Sequence, residues 1–285
     1  MYTRTLAAAA FGLGLLEGGA AALAADDIPP HMEVRCIDAR PNKSAEYKEV
    51  MLATTAKTMQ VRADDGDMAV WVFAESILPA GSNTECDFML INQHAAFPPE
   101  RVPIDPYFVR AKVNITREQW YAKLGAASRF VHRQLWRGVQ DLGHIQKGNY
   151  IRVDTLKVAP EKMEAWVEQA VAVWKPIFTQ KIAAGDLTAW QAQRLILPSG
   201  GSLPYNARTL TIYPSWNAIG MPERHREYLA KSVPGKRSAK LLEGALAGQE
   251  VVRSELFSVV EVVYPKKPAH SGTAPPASPA APATQ

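Results

Sequence analysis

The 285-residue sequence contains only two cysteines, nearly balanced charges, and no long apolar run beyond its N-terminal segment. Lysine and arginine total 32 against 28 acidic residues, a formal net charge of +4, which predicts no nucleic-acid-binding surface. A bilayer-spanning helix needs about 18 or more apolar residues, so no transmembrane segment is expected. The hydrophobic share of 47% is typical of a globular protein.

Common catalytic motifs are also missing. The sequence has no Walker phosphate loop, no G-x-G-x-x-G after a strand, no H-E-x-x-H, no C-x-x-C and no G-x-S-x-G. The glycine-rich segment 199–202 lacks the lysine of a phosphate-binding loop and is interpreted as a hairpin turn. These absences favour a protein without a cofactor.

The N-terminal segment has the features of a secretory signal peptide over residues 1–24. An apolar run at residues 6–16 follows a positive charge, and the small residues at 22–24 form a cleavage site. The alternative is an N-terminal core helix, which Glu17 favours slightly. We expect a periplasmic or secreted protein. At the other end, residues 265–285 are rich in proline and alanine and predict a flexible tail.

An internal repeat organises the chain between these ends. Residues 66–71 (GDMAVW) resemble residues 185–190 (GDLTAW), an offset of 119, and the same offset aligns 77–81 with 196–200. The apolar pattern after the glycine-rich loop fits an offset of 121, so a two-residue insertion is predicted near residues 202–204. A period this long indicates a duplicated domain rather than a solenoid of short repeats.

Each copy, residues 32–145 and residues 149–264, predicts the order β-α-β-β-α-β. This is an α+β, ferredoxin-like unit with helices on one face of a four-stranded sheet. The other face of the sheet is bare and needs a partner. Two copies in one chain supply that partner by packing sheet to sheet, as a pseudo-twofold barrel or a sandwich. No oligomer is required.

Two local features depend on this topology. The first and third strands of a unit are antiparallel neighbours, which makes Cys36 and Cys86 candidates for a disulfide within the first copy. The alternative is two separate buried thiols. Pro176 lies inside a predicted helix of the second copy, so a kink or bulge is expected there.

Four segments carry a resemblance to a known family: 150–153 (YIRV), 174–177 (WKPI), 185–190 and 210–216 (LTIYPSW). They resemble the dimeric α/β-barrel superfamily, with its antibiotic-biosynthesis-monooxygenase, EthD and NIPSNAP types, and in particular exported bacterial members of unknown role. The resemblance implies two ferredoxin-like units forming a pseudo-dimeric α/β barrel. It implies no single activity, because the superfamily includes cofactor-free oxygenases, isomerases, haem enzymes and binding proteins.

Strand alternation suggests a ligand site. Trp71 and Glu75 share one face of a strand, and their repeat equivalents are Trp190 and Arg194. If the tryptophans face the space between the sheets, the two charged residues lie in an apolar pocket, where Glu75 becomes a candidate base. The alternative is an ion pair at the rim. Arg208 is a candidate for binding an anionic ligand group, or else a solvated edge residue.

Two histidines complete the candidate site. His94 ends the third strand and His132 precedes the fourth, so both are predicted to approach a common cleft, where one histidine suffices as an axial haem ligand. The alternative is surface or capping histidines. No two histidines have the spacing of a helical metal site.

The predicted function is an exported protein that binds a small apolar or aromatic molecule in an apolar inter-sheet pocket. The alternatives are a cofactor-independent oxygenase or isomerase, a haem-dependent enzyme, and an interaction module tethered by its tail.

Overall fold

The computed structural model describes residues 30–79, 84–98, 102–198, 203–233 and 236–266. The predicted signal peptide lies outside the described residues, and so does the predicted tail from residue 267 onward. None of the described helices is long and apolar enough to cross a membrane.

Each unit has four strands and two groups of helices. The first unit consists of β1 (His31–Ala39), α1 (Ser44–Val50), a π-helical segment (Met51–Thr55), α2 (Ala56–Asp64), β2 (Val70–Leu78), β3 (Phe88–His94), α3 (Asp105–Arg110), α4 (Arg117–Ala127) and β4 (Ser128–Gly143). The second consists of β5 (Tyr150–Lys157), a 3₁₀ turn (Pro160–Lys162), α5 (Met163–Gln169), a π-helical segment (Ala170–Trp174), α6 (Lys175–Ala183), β6 (Ala189–Leu197), β7 (Ala207–Tyr213), α7 (Trp216–Ile219), α8 (His225–Ser232), α9 (Lys236–Ala247) and β8 (Glu250–Val263).

The eight strands form one closed barrel in the order β1-β3-β2-β8-β5-β7-β6-β4. Each unit contributes the predicted ferredoxin-like order, β4-β1-β3-β2 in the first and β8-β5-β7-β6 in the second. The units join because β2 pairs with β8 and β4 pairs with β6, both antiparallel. The predicted α+β fold of two ferredoxin-like units is confirmed, and the two sheets meet edge to edge as one barrel.

The strand register corrects the alignment of the two copies. Val34 faces Ile91 across β1 and β3, and Val153 faces Leu210 across β5 and β7, so the offset is still 119 at the third strand. The offset of 121 applies at the fourth strands. The predicted insertion near residues 202–204 is therefore wrong, and the two extra residues follow β7. A two-residue slip keeps every strand residue on the same face, so alternation does not detect it.

The first long helix of each unit contains a π-helical segment at the same place, Met51–Thr55 and Ala170–Trp174. The bulge predicted near Pro176 is present in the second unit. The first unit has one as well, with Lys57 at the position equivalent to Pro176. The bulge therefore belongs to the duplicated backbone, and the proline lies in the first turn of α6, where it is tolerated.

The predicted disulfide joins Cys36 of β1 to Cys86, two residues before β3, with their Cα atoms 5.4 Å apart. The repeat equivalents, Thr155 and Tyr205, form no such link, so only the first unit is crosslinked.

Candidate functional site

The barrel interior is filled by side chains. Met32, Val34, Ile91, Ile151 and Phe257 belong to its apolar cluster. One small interior cavity, of about 30 Å³, lies beside the disulfide. This space is enough for one or two water molecules. Among the described residues the predicted inter-sheet ligand pocket is not found in the barrel interior, because the inward side chains of the two units fill the space that they enclose.

A cavity of about 450 Å³ lies where β4 meets β6, with Leu135 and Leu197 in its wall, and on the outside of the barrel a cavity lies between each unit's sheet and its helices. The cavity of the first unit measures about 600 Å³ and that of the second about 160 Å³. We call them the first-unit cavity and the second-unit cavity. A volume of several hundred Å³ is typical of small-molecule sites, so the first-unit cavity is the candidate site.

Trp71 and Trp190 face the helices and not the barrel interior, so the condition for placing them in an inter-sheet pocket is not met. Trp71 is buried in the first unit's helix-facing cluster, and Trp190 in the second unit's. Strand alternation alone does not identify the inward-facing residues of β2. The sheet is covered on both faces, so Trp71 to Ala74 are all buried. Each tryptophan lines the cavity of its own unit.

Glu75 and Arg194 do not share a pocket. Both carboxylate oxygens of Glu75 accept hydrogen bonds from Lys48 Nζ at 3.0 Å, and both side chains are about one-third exposed. Arg194 is half-buried in β6 of the other unit, with Arg137 and Ala207 as its neighbours across the ladder. Glu75 therefore forms a partly exposed ion pair, as in the alternative interpretation, but its partner is Lys48 and not Arg194.

His94 and His132 lie on opposite faces of the sheet. His132 pairs across the ladder with Cys36 and lines the small interior cavity, where its Nε2 lies 2.9 Å from Glu85 Oε1. His94 lies opposite His31 at the other end of β1 and lines the first-unit cavity. The predicted common cleft is therefore wrong, because the two residues have opposite parity and different depths along the strands.

His94 has one ring nitrogen bound and one free. Nδ1 donates to the Asp67 carbonyl oxygen at 2.9 Å, so Nε2 carries the lone pair of a neutral ring. Nε2 is buried and has no hydrogen-bond partner in the described chain. Burial lowers the pKa of the His94 imidazole below its usual 6.5, which keeps the ring neutral.

This arrangement decides which histidine suits a haem. If the first-unit cavity held a haem, His94 would be the residue to bind its iron, because its ring is neutral, its Nδ1 is hydrogen-bonded and its Nε2 has no partner in the described chain. His132 does not fit, because Glu85 occupies its Nε2 and the adjoining space is about 30 Å³. In the described residues no cluster of three or more histidine, cysteine or acidic side chains is arranged to hold a metal ion.

Glu33 forms a charged group with two arginines on the wall of the first-unit cavity. Arg35 Nε donates to Glu33 Oε1 at 2.5 Å, and Arg133 Nη2 donates to Oε2 at 3.0 Å. Burial raises the pKa of the Glu33 carboxyl, and Arg35 and Arg133 overcome this effect and hold it below its usual range. The arginine side chains are 43% and 47% exposed, so the group reaches from the cavity wall to solvent.

Arg208 is an interior residue rather than a solvated edge residue. It is 3% exposed, its Nε donates to Gln193 Oε1 at 2.6 Å, and its guanidinium lies 4.3 Å from the Trp136 ring centroid. Burial lowers the pKa of the Arg208 guanidinium to about 9. It lines the small interior cavity and is remote from the candidate site.

Sequence reasoning missed several residues of the first-unit cavity, namely Glu33, Arg62, Asn92 and Trp120. Arg62 had a usable signal: it follows Met59 by three residues in the buried helical stripe, and the residue 119 positions later, Lys181, is also a cation. A cation that recurs in the apolar stripe of both copies indicates a position that faces a cavity in each unit. Trp120 comes from α4, where no repeat match points to it.

No protein-family model matches the chain, and no curated protein does. Solved structures do. A protein of Lactobacillus acidophilus NCFM named for a proposed monooxygenase activity aligns over 83% of this chain and 96% of its own, with a TM-score of 0.52 at 10% identity. A similarly named protein of Fusobacterium nucleatum aligns over 84% and 95%, with a TM-score of 0.52 at 13% identity.

An anthrone oxidase-like protein aligns over 87% and 98%, at a lower TM-score of 0.46 and 10% identity. At these identities the likeness extends to the fold and not to the chemistry. The strand order and the first two of these structures show that the chain has the dimeric α/β-barrel fold, with both halves of the barrel in one polypeptide.

Proposed function

We propose that this protein is an exported small-molecule-binding protein and that the first-unit cavity holds its ligand. The observation that carries the proposal is a cavity of about 600 Å³ whose described lining combines aromatic and methionine side chains with buried polar residues, namely Glu33, Thr55, Arg62, Asn92 and His94. Sites for small organic molecules have this composition. The ligand class is a small aromatic or apolar molecule.

The lining supports an aromatic ligand. Trp71 is almost fully buried and Trp120 is 8% exposed, and both contribute to the wall. Trp120 Nε1 donates to Thr55 Oγ1 at 3.1 Å, which fixes the indole. Rigid aromatic walls favour planar ligands through offset stacking and edge contacts.

N-phenyl-1-naphthylamine, an uncharged dye that fluoresces in apolar sites, tests the proposal directly. The wild-type protein is expected to bind it with saturable fluorescence enhancement. Thr55→Trp places a large ring where the second unit has Trp174, and is expected to abolish binding. Val171→Trp, at an exposed position in the second unit, is the matched control and leaves binding intact. Equal binding by both variants would exclude the first-unit cavity as the site.

A cofactor-independent oxygenase or isomerase is the second candidate function. The observation in its favour is the neutral His94 ring with an unpartnered Nε2 in the cavity wall, since such a nitrogen is suited to accept a proton from a bound substrate. Once a ligand is known, His94→Gln is expected to lower kcat while leaving dye binding within about twofold. Unchanged kcat would remove this candidate.

A haem-dependent enzyme is tested separately by titrating the protein with haemin. If haem binds, the Soret band is expected to require His94 and to disappear in His94→Ala but not in His132→Ala. No spectral change on titration would remove the haem alternative.

Export is supported by the sequence of residues 1–24 and by the disulfide, which suits an oxidising compartment. Expression of the full chain in a bacterial host is expected to give a periplasmic protein whose N-terminal sequence starts at Ala25. A cytoplasmic, unprocessed chain would contradict export.

A further inference from the structure

Arg62 is the most unusual residue of the first-unit cavity. It lies on α2 with only 6% of its surface exposed, and it lines the cavity. Guanidinium groups carry five N–H donors and are seldom buried without oxygen acceptors. Its surroundings therefore decide what the cavity binds.

Those surroundings satisfy Arg62 poorly. Within the described chain its guanidinium makes one hydrogen bond, from Nη1 to the Met59 thioether at 3.6 Å, and Nε has no hydrogen-bond partner. The guanidinium carbon also lies 5.9 Å from the Tyr107 ring centroid. The nearest carboxylate oxygen, Asp67 Oδ2, lies 3.8 Å from Nε and already accepts the Tyr107 hydroxyl. Sulfur is a weak acceptor, so the guanidinium keeps donors for an external oxygen group.

The charges around the two cavities differ. The described lining of the first-unit cavity includes the arginines at 35, 62 and 133 against one carboxylate, Glu33. The described lining of the second-unit cavity balances Arg152 and Lys181 with Asp154 and Glu223. The excess of positive charge is therefore a property of the first-unit cavity and not of the fold.

We propose that the ligand of the first-unit cavity is an aromatic acid whose carboxylate binds Arg62 while its ring packs against Trp71 and Trp120. The inference rests on the proposed function and adds the chemical class of the ligand. A carboxylate supplies two oxygen acceptors in the geometry of the guanidinium fork, and such charge-assisted pairs are strong when water is excluded. Arg35 and Arg133 at the partly exposed wall attract anions toward the site.

Two dyes of similar shape distinguish the contribution of ligand charge to the binding affinity from that of the aromatic rings. N-phenyl-1-naphthylamine and 8-anilinonaphthalene-1-sulfonate share one aromatic skeleton, and only the second carries an anionic oxygen group. Arg62→Met is expected to weaken binding of the sulfonate by about tenfold or more and to change binding of the neutral dye by less than about twofold. Displacement of the neutral dye by 2-naphthoate is expected to weaken equally in this variant, and displacement by 2-acetylnaphthalene is not.

Two controls make the result decisive. Lys181→Met removes the equivalent cation of the second unit and is expected to leave both dyes unaffected. Arg62→Lys keeps the charge and is expected to fall between wild type and Arg62→Met. If the wild type binds neither dye, the proposed function fails. If it binds both and Arg62→Met weakens both alike, or neither, the cavity stands and the carboxylate assignment is overturned. Retained binding of the neutral dye also shows that the variant is folded.

Discussion

The two units have the same strands, the same π-helical segment and a tryptophan at the same place on the sheet, yet one cavity is several times larger than the other. Two helix positions account for much of the difference. The second unit has Trp174 and Phe178 where the first has Thr55 and Met59. Phe178 stacks on Trp190 with centroids 4.4 Å apart and an interplanar angle of 11°. Larger side chains at these two helix positions therefore reduce the volume of the second-unit cavity.

The charged residues of the two units also differ, at positions on their first strands. The group on β1 is Glu33 with Arg35 in the first unit, and the equivalent pair is Arg152 with Asp154 in the second, so the charges are reversed. The buried helix cation is retained as Arg62 and Lys181, and burial lowers the pKa of both. The shared cation with different surroundings suggests that the duplicated position is tuned separately in each unit.

The largest effect is expected from opening the second-unit cavity with Trp174→Thr and Phe178→Met. Removing these two rings leaves a void in a packed layer and is expected to cost at least about 3 kcal/mol of unfolding free energy, measured by urea denaturation. Met59→Leu, a volume-conserving change in the first unit, should cost less than about 1.5 kcal/mol. A double variant as stable as wild type would show that the two rings do not fill the space that is open in the first unit.

The disulfide is expected to give the next effect, because only the first unit has one. Cys36→Ala with Cys86→Ala frees a loop of 50 residues and should lower the unfolding free energy by about 2–4 kcal/mol. Dithiothreitol should destabilise the wild type similarly and have no further effect on the double variant. An unchanged wild type under reducing conditions would contradict this expectation.

A pH effect is expected at His94, whose position in the second unit is occupied by Tyr213. Because burial holds the pKa of folded His94 below 6.5, the unfolded chain binds its proton at higher pH. The stability is therefore fully present above about pH 6.5 and declines as the pH falls toward the lower folded value. His94→Gln is expected to flatten this part of the stability curve, measured by thermal unfolding between pH 7.5 and 5.5. Parallel curves for both proteins would exclude His94 as the source.

The smallest effect is expected at the ion pair of Glu75 with Lys48, whose equivalents in the second unit are Arg194 and Val167. Both partners are about one-third exposed, so solvent screens the attraction. Glu75→Gln should cost less than about 1 kcal/mol and leave dye binding unchanged. A loss of binding would instead return Glu75 to the candidate site.

The sequence predicts most of this fold because duplication allows each strand to be identified twice. The 119-residue offset aligns the strands from β1 to β3 with those from β5 to β7, and the two cysteines lie where the topology brings strands together. The position of the insertion was not predictable from alternation. A shift of two residues preserves both faces of a strand, and only the hydrogen-bonded register distinguishes the alternatives.

The candidate site is less predictable, because the sheet is buried on both faces. Trp71 and His94 were identified as site residues, and both line the first-unit cavity. Their direction, toward the helices, was not predictable, since inward and outward residues of β2 are equally apolar. The repeat marks Arg62 as a buried cation, but its importance depends on how few hydrogen bonds its guanidinium makes in three dimensions, which no sequence pattern records.

The pairing of β2 with β8 and of β4 with β6 has a consequence for how such a barrel changes over time. In an assembly of two identical chains, every substitution appears in both halves, so one site cannot be filled without filling the other. Covalent linkage removes that constraint. Substitutions can then fill the cavity of one unit with side chains, while the other unit keeps an open cavity and acquires different polar residues.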